Sequence, residues 1–249
     1  MRHILILGGT TEASAVAKAL AHRGEIAMLS YAGRTGNPRA QPVPVRVGGF
    51  GGAEGLAAFL KAGAFTHLID ASHPFAATIS ANAAAAVRVA GVAHLMLTRP
   101  EWQAGQGDRW THVPDIASAV RALDGPPRRV MLALGRMHVE AFAAQPQHHY
   151  LLRFVDAPEV PPPLSRHHLL VDRGPFTLDG DLVLMRDHSI DLVVAKNAGG
   201  EGARAKIDAA RTLGVPVIMI DRPAVPPVAT VHDIGDVLAW IDHSAHRGV

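Results

Sequence analysis

Polar and glycine-rich segments follow directly after short apolar runs in this sequence of 249 residues. GGTTEA begins at Gly8, DASHPFA at Asp70 and KNAGGEGARAKI at Lys196. Backbone N–H groups and hydroxyls can bind a phosphate, whereas Ser72, His73 and Lys196 can also take part in proton transfer. Their position after apolar runs predicts that strands hold them at one edge of a sheet.

The first of these segments, Gly8–Ala13, has two interpretations. Gly9 with the hydroxyls of Thr10 and Thr11 suits a phosphate held at the N-terminus of the following helix. A tight strand-to-helix turn with Thr11 as the N-cap explains the same residues. Because the segment lacks the G-x-G-x-x-G pattern, the motif alone does not decide between these interpretations.

The second apolar run ends at SYAGRTG, Ser30–Gly36, and lacks the acidic residue that binds the ribose of NAD. Ser30 and Arg34 stand in this region instead. A hydroxyl and a guanidinium suit a 2′-phosphate, which favours NADP over NAD as the cofactor. The alternative is a glycine-rich loop whose arginine is only solvated.

The segment RVGGFGG, Arg46–Gly52, contains four glycines around one phenylalanine. This composition suits a loop in which Gly49, Phe50 and Gly51 close over a flat ligand. A mobile loop without a ligand is an equal alternative.

In the second half of the chain, Lys196 aligns with His73, and Asn197, Gly199 and Gly200 follow it. These residues predict an exposed backbone nest for an anion. Because burial of a lysine charge is unfavourable, we favour a functional role for Lys196 over a side chain that reaches solvent at the sheet edge.

Three arginines are candidates for the substrate site. Arg99 and Arg222 each precede a proline after an apolar run, where they could bind carboxylates or hold the sheet edge through backbone carbonyls. Their repetition slightly favours the second role. Arg136 lies in ALGRM, the segment that aligns with GGTT, for which phosphate binding is an alternative.

The elements that position these residues alternate between apolar runs and alanine-rich helical patterns, which is typical of a parallel sheet. The predicted strands are Ile4–Leu7, Ala27–Ser30, Val43–Val47, His67–Asp70 and His94–Thr98. The predicted helices between them are Glu12–Ala21, Glu54–Lys61 and Thr78–Ala90. Runs such as ILIL are apolar throughout, as expected where helices cover both faces.

The second half of the chain repeats the first. AHLMLTRP and PVIMIDRP each follow a Gly-Val pair, which begins at Gly91 and at Gly214, an offset of 214 − 91 = 123. An Asp-Ile pair follows each of them in the same order. We therefore predict an α/β protein of two Rossmann-like parallel-sheet domains, residues 1–125 and 126–249, with a ligand cleft between them.

Composition excludes several classes of protein. The absence of cysteine excludes disulfides and thiolate zinc sites, and no histidine pair has the HExxH spacing, so no metal site is predicted. No apolar run can span a bilayer and no signal peptide is recognisable, which predicts a cytoplasmic protein without a membrane partner. Scattered basic residues, a net charge of +2 and few aromatic residues disfavour nucleic-acid binding.

Taken in order, ILILGGTTEA, SYAGRTG, GGFGG, DASHPFA, KNAGGEGARAKI and the final DRP make the chain similar to the precorrin-6A reductase family of cobalamin biosynthesis. The resemblance extends from Ile4 to about Pro223. It implies a two-domain Rossmann-like fold, NADPH as cofactor and reduction of one macrocycle double bond of precorrin-6A to give precorrin-6B. Reduction of the cobalt-containing intermediate of the anaerobic route is the alternative.

This reaction places a hydride on one atom of the double bond and a proton on the other. His73 and Lys196 are then the candidate proton donors, with Ser72 as a relay and water as an alternative. The tetrapyrrole carries many carboxylates, which arginine side chains bind well. We expect a monomer, with at most transient contacts to neighbouring pathway enzymes.

Two other functions fit less well. A short-chain reductase or epimerase needs a Tyr-x-x-x-Lys pair, but neither Tyr31 nor Tyr150 has a lysine four residues later. A two-domain binding protein without catalysis, built like a periplasmic receptor, is disfavoured because no signal peptide is recognisable.

Overall fold

The computed structural model describes residues 2–32 and 40–244 of the chain. The strands are β1 (His3–Leu7), β2 (Ile26–Tyr31), β3 (Val45–Val47), β4 (His67–Asp70), β5 (Ala93–Leu97), β6 (Trp110–Val113), β7 (Arg129–Ala133), β8 (His149–Phe154), β9 (His167–Val171), β10 (Leu192–Lys196), β11 (Val217–Ile220) and β12 (Thr230–Val231). The helices are α1 (Thr11–His22), α2 (Gly52–Ala62), α3 (Ala77–Ala90), α4 (Ile116–Arg121), α5 (Leu178–Asp187), α6 (Ala205–Leu213) and α7 (Ile234–Ser244), and Arg136–Ala144 form a 3₁₀ segment.

These strands form two six-stranded sheets in the described part of the chain. Their orders are β12-β5-β4-β1-β2-β3 and β6-β11-β10-β7-β8-β9, and every pair is parallel. Counted along each sheet, both orders correspond to the Rossmann arrangement 3-2-1-4-5-6. The predicted fold class and the internal repeat of the chain are therefore confirmed.

Local sequence signals explain where the helices begin and end. The predicted strands and helices of the first half are all present, with ends within two residues of the prediction. The Asp115 side chain caps α4 by accepting the N–H of Ser118, and glycines at 91 and 214 end α3 and α6 in the left-handed conformation.

Apolar side chains of the central strands pack on both faces of each sheet, as the continuous apolar runs predict. On one face of the first sheet, Ile4, Ile6 and Ile69 contact residues of α1 and α7; on the other, Leu5 and Leu68 contact residues of α2 and α3. The second sheet has an equivalent core, which includes residues of α5 and α6. These cores fix the strand ends that carry the polar loops.

The chain divides into two compact units: unit 1 contains Met1–Arg99 and Ala224–Val249, and unit 2 contains Pro100–Pro223. In the chain, β6 follows β5 but pairs with β11, whereas β12 follows β11 but pairs with β5. The predicted boundary at residue 125 does not coincide with this division, because the last strand of each half joins the sheet of the other unit. None of the helices in the described ranges is both long and apolar enough to cross a membrane.

Candidate functional site

Each unit has one place where the order of its strands reverses, between β1 and β4 in unit 1 and between β7 and β10 in unit 2. Ligands of this fold bind outside the carboxyl ends of the strands at such a point. Gly9 and Ser72 follow β1 and β4, and Lys196 is the last residue of β10. Most of the predicted site residues therefore lie at the expected edge of a sheet.

The turn after β1 requires two glycines for different reasons. A side chain at Gly8 would place its Cβ 2.6 Å from Cδ1 of Leu29, so glycine permits the close approach to β2. Gly9 has φ of +125°, which other residues rarely adopt, and among the described residues no atom beyond its chain neighbours lies within 4 Å of the position of a Cβ. The backbone at Gly9 therefore has room beside it, as a bound phosphate requires.

Thr10, rather than Thr11, is the N-cap of α1. Its hydroxyl accepts the N–H of Ala13 at 3.1 Å and donates to the carbonyl of Ala71 at 2.7 Å. The single hydroxyl hydrogen is thus already used to join the first loop to the turn after β4. Thr10 has a structural role in this structure, and its predicted contact with a phosphate stays a prediction.

Arg99 holds the start of α1 from the end of β5. Its Nε and one terminal nitrogen donate to the two carboxylate oxygens of Glu12, each at 2.7 Å, and the same terminal nitrogen lies 3.4 Å from Oγ1 of Thr11. Burial alone would raise the pKa of the Glu12 carboxyl, but the hydrogen bonds from Arg99 outweigh it and lower that pKa. Arg99 is therefore neutralised by a residue of its own unit.

The turn that carries Ser72 and His73 is held by the buried carboxylate of Asp70. Oδ1 of Asp70 accepts the N–H of Ser72 at 3.0 Å, while the exposed His73 accepts the N–H of Phe75 at its Nδ1. When Nδ1 is an acceptor, the hydrogen of the neutral imidazole is on Nε2. His73 can therefore present an N–H donor at Nε2.

Ser30, at the carboxyl end of β2, is buried and lies beside an arginine that the sequence did not indicate. A terminal nitrogen of Arg46 is 3.4 Å from Oγ of Ser30, and its guanidinium donates to the carbonyls of Gly48 and Gly49. Among the described residues, no carboxylate pairs with Arg46. The predicted partner of Ser30, Arg34, lies outside the described residues.

The glycine-rich segment after β3 is organised by the same arginine. The Arg46 guanidinium lies 4.0 Å from the ring centre of Phe50, and that ring packs against Phe59 at 5.1 Å. Gly51 adopts a left-handed conformation at the start of α2. The predicted closing of Gly49, Phe50 and Gly51 over a ligand stays a prediction, and Phe50 has protein partners in this structure.

In unit 2, the Asn197 side chain is buried and binds the backbone of Trp102. Oδ1 accepts the Trp102 N–H at 2.8 Å and Nδ2 donates to its carbonyl at 3.1 Å, while Nε1 of Trp102 donates to the carbonyl of Gly200. This network fixes the segment that enters unit 2 against the loop after β10. The side chain of Asn197 therefore has a structural role, although a cofactor contact was predicted.

Gly199 is the tightest point of this loop. Its φ is +68°, and a Cβ there would lie 2.2 Å from the carbonyl oxygen of Pro100. Arg222 donates to the carbonyls of Asn197 and Ala198, at 3.0 and 3.2 Å. These contacts agree with the alternative in which Arg222 holds the sheet edge through backbone carbonyls.

Lys196 is half-buried at the end of β10, beside this loop, and Arg136 is exposed at the start of the 3₁₀ segment after β7. Apart from Arg136 and Arg222, the predicted site residues of unit 2 thus lie together at the end of β10 and in the loop that follows it. Asp70, Trp102 and Arg46 were not predicted as site residues. Asp70 and Arg46 stand at predicted strand ends, and that position could have marked them as candidates. Trp102 binds Asn197, which is 95 positions away, and no local sequence pattern indicates that contact.

The fold and these loops define a protein with two Rossmann-like units, each of which has polar residues and an accessible turn at its strand ends. Comparison with known proteins makes the assignment specific. The chain matches the family described as "Precorrin-6x reductase CbiJ/CobK" over residues 3–242. It belongs to this family.

Individual relatives agree with the family. The chain is 56% identical to the "Precorrin-6A reductase" of Rhodobacter capsulatus, with 100% of both chains covered. It is 26% identical to the "Cobalt-precorrin-6A reductase" of Synechocystis sp., with 94% of both chains covered. A solved structure titled "CobK precorrin-6A reductase" is 55% identical, with a TM-score of 0.94 and 100% of both chains covered.

Proposed function

We propose that this protein is an NADPH-dependent reductase that converts precorrin-6A to precorrin-6B in cobalamin biosynthesis. The observation that supports the reaction is the similarity to the Rhodobacter capsulatus precorrin-6A reductase along the full length of both chains. The fold agrees with this role, because parallel sheets of the Rossmann order commonly bind dinucleotides at their strand ends.

The preference for NADPH over NADH is supported by Arg46 and Ser30. In a Rossmann unit, the end of the second strand faces the adenosine ribose, and an arginine there accommodates a 2′-phosphate. The Arg46 guanidinium lies at that place without a carboxylate partner among the described residues. Gly9, which leaves room beside the backbone, would lie near the pyrophosphate at the start of α1.

When bound, NADPH supplies a hydride to one atom of the macrocycle double bond and leaves as NADP⁺. The neighbouring atom then takes a proton, so that two hydrogens have been added. His73 is our first candidate for the donor, because it is exposed just after the carboxyl end of β4 and a protonated imidazole can give up a proton and remain neutral. Asp70 holds this turn through the N–H of Ser72, and Lys196 remains the alternative donor.

The cobalt-containing intermediate is the second candidate substrate. The relative named for it shares 26% identity with this chain, against 56% for the relative named for precorrin-6A. This difference favours the cobalt-free macrocycle. Comparison of kcat/KM for the two substrates tests the choice, and a higher value with cobalt-precorrin-6A would reverse it.

Anaerobic incubation of the protein with NADPH and precorrin-6A tests the proposed reaction. We expect NADPH absorbance to fall together with the change in the visible spectrum of the pigment. A control without precorrin-6A should show no NADPH oxidation. If precorrin-6A remains unchanged with both NADPH and NADH, the proposed reaction is wrong.

The His73→Ala variant tests the proton donor. We expect it to keep its affinity for NADPH and to lose most of its turnover, because only the proton-transfer step is affected. Unchanged turnover would remove His73 from the mechanism. The monomeric state, the cytoplasmic location and the contacts with pathway enzymes stay predictions.

A further inference from the structure

Lys206, the second residue of α6, is buried in unit 2 with 7% of its surface exposed. Its Nζ donates to the carbonyl of Ala203 and lies 5.2 Å from the ring centre of Trp102. An ammonium group has three N–H donors, but among the described residues only Ala203 accepts from this one. When it is protonated, Lys206 is therefore a buried charge with N–H donors that have no acceptor among the described residues. Burial of such donors is unfavourable unless a further group accepts their hydrogen bonds.

The charges near Lys206 do not cancel. Arg153 and Asp181 form an ion pair in which 9% and 2% of the two side chains are exposed, and the Arg153 guanidinium lies 3.7 Å from the ring centre of Phe176. Burial and, to a smaller extent, the charge of Arg153 lower the pKa of Lys206 to about 8, while the charge of Asp181 opposes both. Two buried cations thus face one carboxylate, and the group has an excess of positive charge when Lys206 is protonated.

Lys206, Arg153 and Asp181 lie at the edge of the second sheet that is formed by the carboxyl ends of its strands, where ligands are expected. Arg153 is near the carboxyl end of β8, Asp181 is in the first turn of α5 and Lys206 is in the first turn of α6. Trp102, whose ring faces Lys206, is hydrogen-bonded to Gly200 in the loop after β10. A lysine in the first turn of a helix is also repelled by the helix dipole, so its position there favours a role beyond stability.

We infer that Lys206, with Arg153 beside it, binds an anionic oxygen of a reactant, either a carboxylate of the tetrapyrrole or a phosphate of the cofactor. This inference rests on the proposed function, which supplies both reactants. The bound anion provides acceptors for the remaining N–H groups of Lys206 and balances the excess charge. Arg153 stays paired with Asp181 and contributes through its charge.

The test is the Lys206→Met variant, which keeps the apolar stem and removes the charge. We expect at least a tenfold weaker interaction with one reactant. A raised KM for precorrin-6A with unchanged NADPH affinity assigns the carboxylate, and the reverse result assigns the phosphate. The matched control is Lys61→Met, at an exposed lysine of α2, which should change neither value. If Lys206→Met folds, as judged by its melting temperature, and changes neither value, the inference is wrong.

A second measurement separates binding from a structural role. Near pH 8 an anion beside Lys206 should draw a proton onto it, so binding is accompanied by proton uptake, measured by calorimetry in buffers of different ionisation enthalpy. The Lys206→Arg variant keeps a permanent charge and should bind without this uptake. Equal uptake in wild type and Lys206→Arg contradicts the inference. Failure of the wild type to oxidise NADPH would instead count against the proposed function.

Discussion

An arginine stacks on a phenylalanine in each unit, but the two arginines differ in their partners. In unit 1, Arg46 lies over Phe50, just before α2, and contacts a hydroxyl and two carbonyls. In unit 2, Arg153 lies over Phe176, just before α5, and pairs with the buried Asp181. The repeated fold thus holds a guanidinium in a comparable place twice.

The difference in partners indicates a difference in role. An arginine without a carboxylate partner keeps its charge available for an added anion, as a 2′-phosphate site requires. An arginine in a buried ion pair contributes first to the folded structure, and its removal leaves an uncompensated charge. In unit 2, the cation available for a ligand is accordingly Lys206 rather than Arg153.

The largest expected effect is that of breaking the ion pair of unit 2. Asp181→Ala leaves Arg153 buried without its partner and should lower the free energy of unfolding by about 3–5 kcal/mol. Urea unfolding measures this change. The control is Asp208→Ala, at a partly exposed carboxylate that pairs with Arg204 and should cost below about 1 kcal/mol. Equal losses in the two variants would remove the contrast between buried and exposed pairs.

Lys206 should make stability depend on pH above neutrality. Its pKa is about 8 in the folded chain against 10.5 as its ordinary value, so the unfolded chain binds more protons between these values. The free energy of unfolding should therefore rise with pH across this window, by roughly 3 kcal/mol from this group. Chemical unfolding of wild type and Lys206→Met at several pH values isolates the contribution, because the variant lacks it. Parallel curves for the two proteins would contradict the assignment.

Arg46 should affect cofactor choice more than stability. Arg46→Gln removes a charge-assisted contact worth about 1.5–3 kcal/mol, so affinity for NADPH should fall roughly 10- to 100-fold while NADH affinity changes little. Fluorescence titration with both cofactors measures the two affinities. Arg88→Gln, at an exposed position of α3, is the control. A parallel loss of NADPH and NADH affinity would indicate damage to the loop rather than loss of a phosphate contact.

The smallest predicted effects compare two helix caps. Thr177 caps α5 by accepting the N–H of Gly180, whereas Thr10 caps α1 and also donates to the carbonyl of Ala71. Thr177→Ala should cost about 1 kcal/mol, and Thr10→Ala should cost more because a second hydrogen bond is lost. Thermal unfolding of the two variants makes the comparison. A larger loss for Thr177→Ala would mean that the link from Thr10 to Ala71 contributes little.

Much of the fold could be predicted because its signals are local. The apolar runs of β1 and β4 identify buried strands, and glycines at 91 and 214 mark helix ends. The repeat indicated two similar units. The observed division, with unit 2 spanning Pro100–Pro223, could not be derived in this way, because the pairing of β6 with β11 and of β12 with β5 joins segments far apart in the chain.

The candidate site could be predicted only in part. Residue types at strand ends identified the loops at Gly9, Ser72 and Lys196, because parallel strands present their carboxyl ends at one edge. The hydrogen-bond partners of individual side chains could not be predicted from the sequence. Thr10 and Asn197 hold backbone segments together, and this depends on partners brought close only by folding.

The sequence by itself therefore determined the alternation of strands and helices, the repeat, the fold class and the loops that carry polar residues. Periodicity, capping residues and glycines encode these features within a few positions of the chain. The tertiary structure decided which strands complete each sheet and which polar side chains already have partners. It also decided that Arg46 has no carboxylate partner in the described part of the chain and that Lys206 is buried. Those properties depend on contacts between distant segments and on exclusion of water. No short segment of the sequence determines either of these.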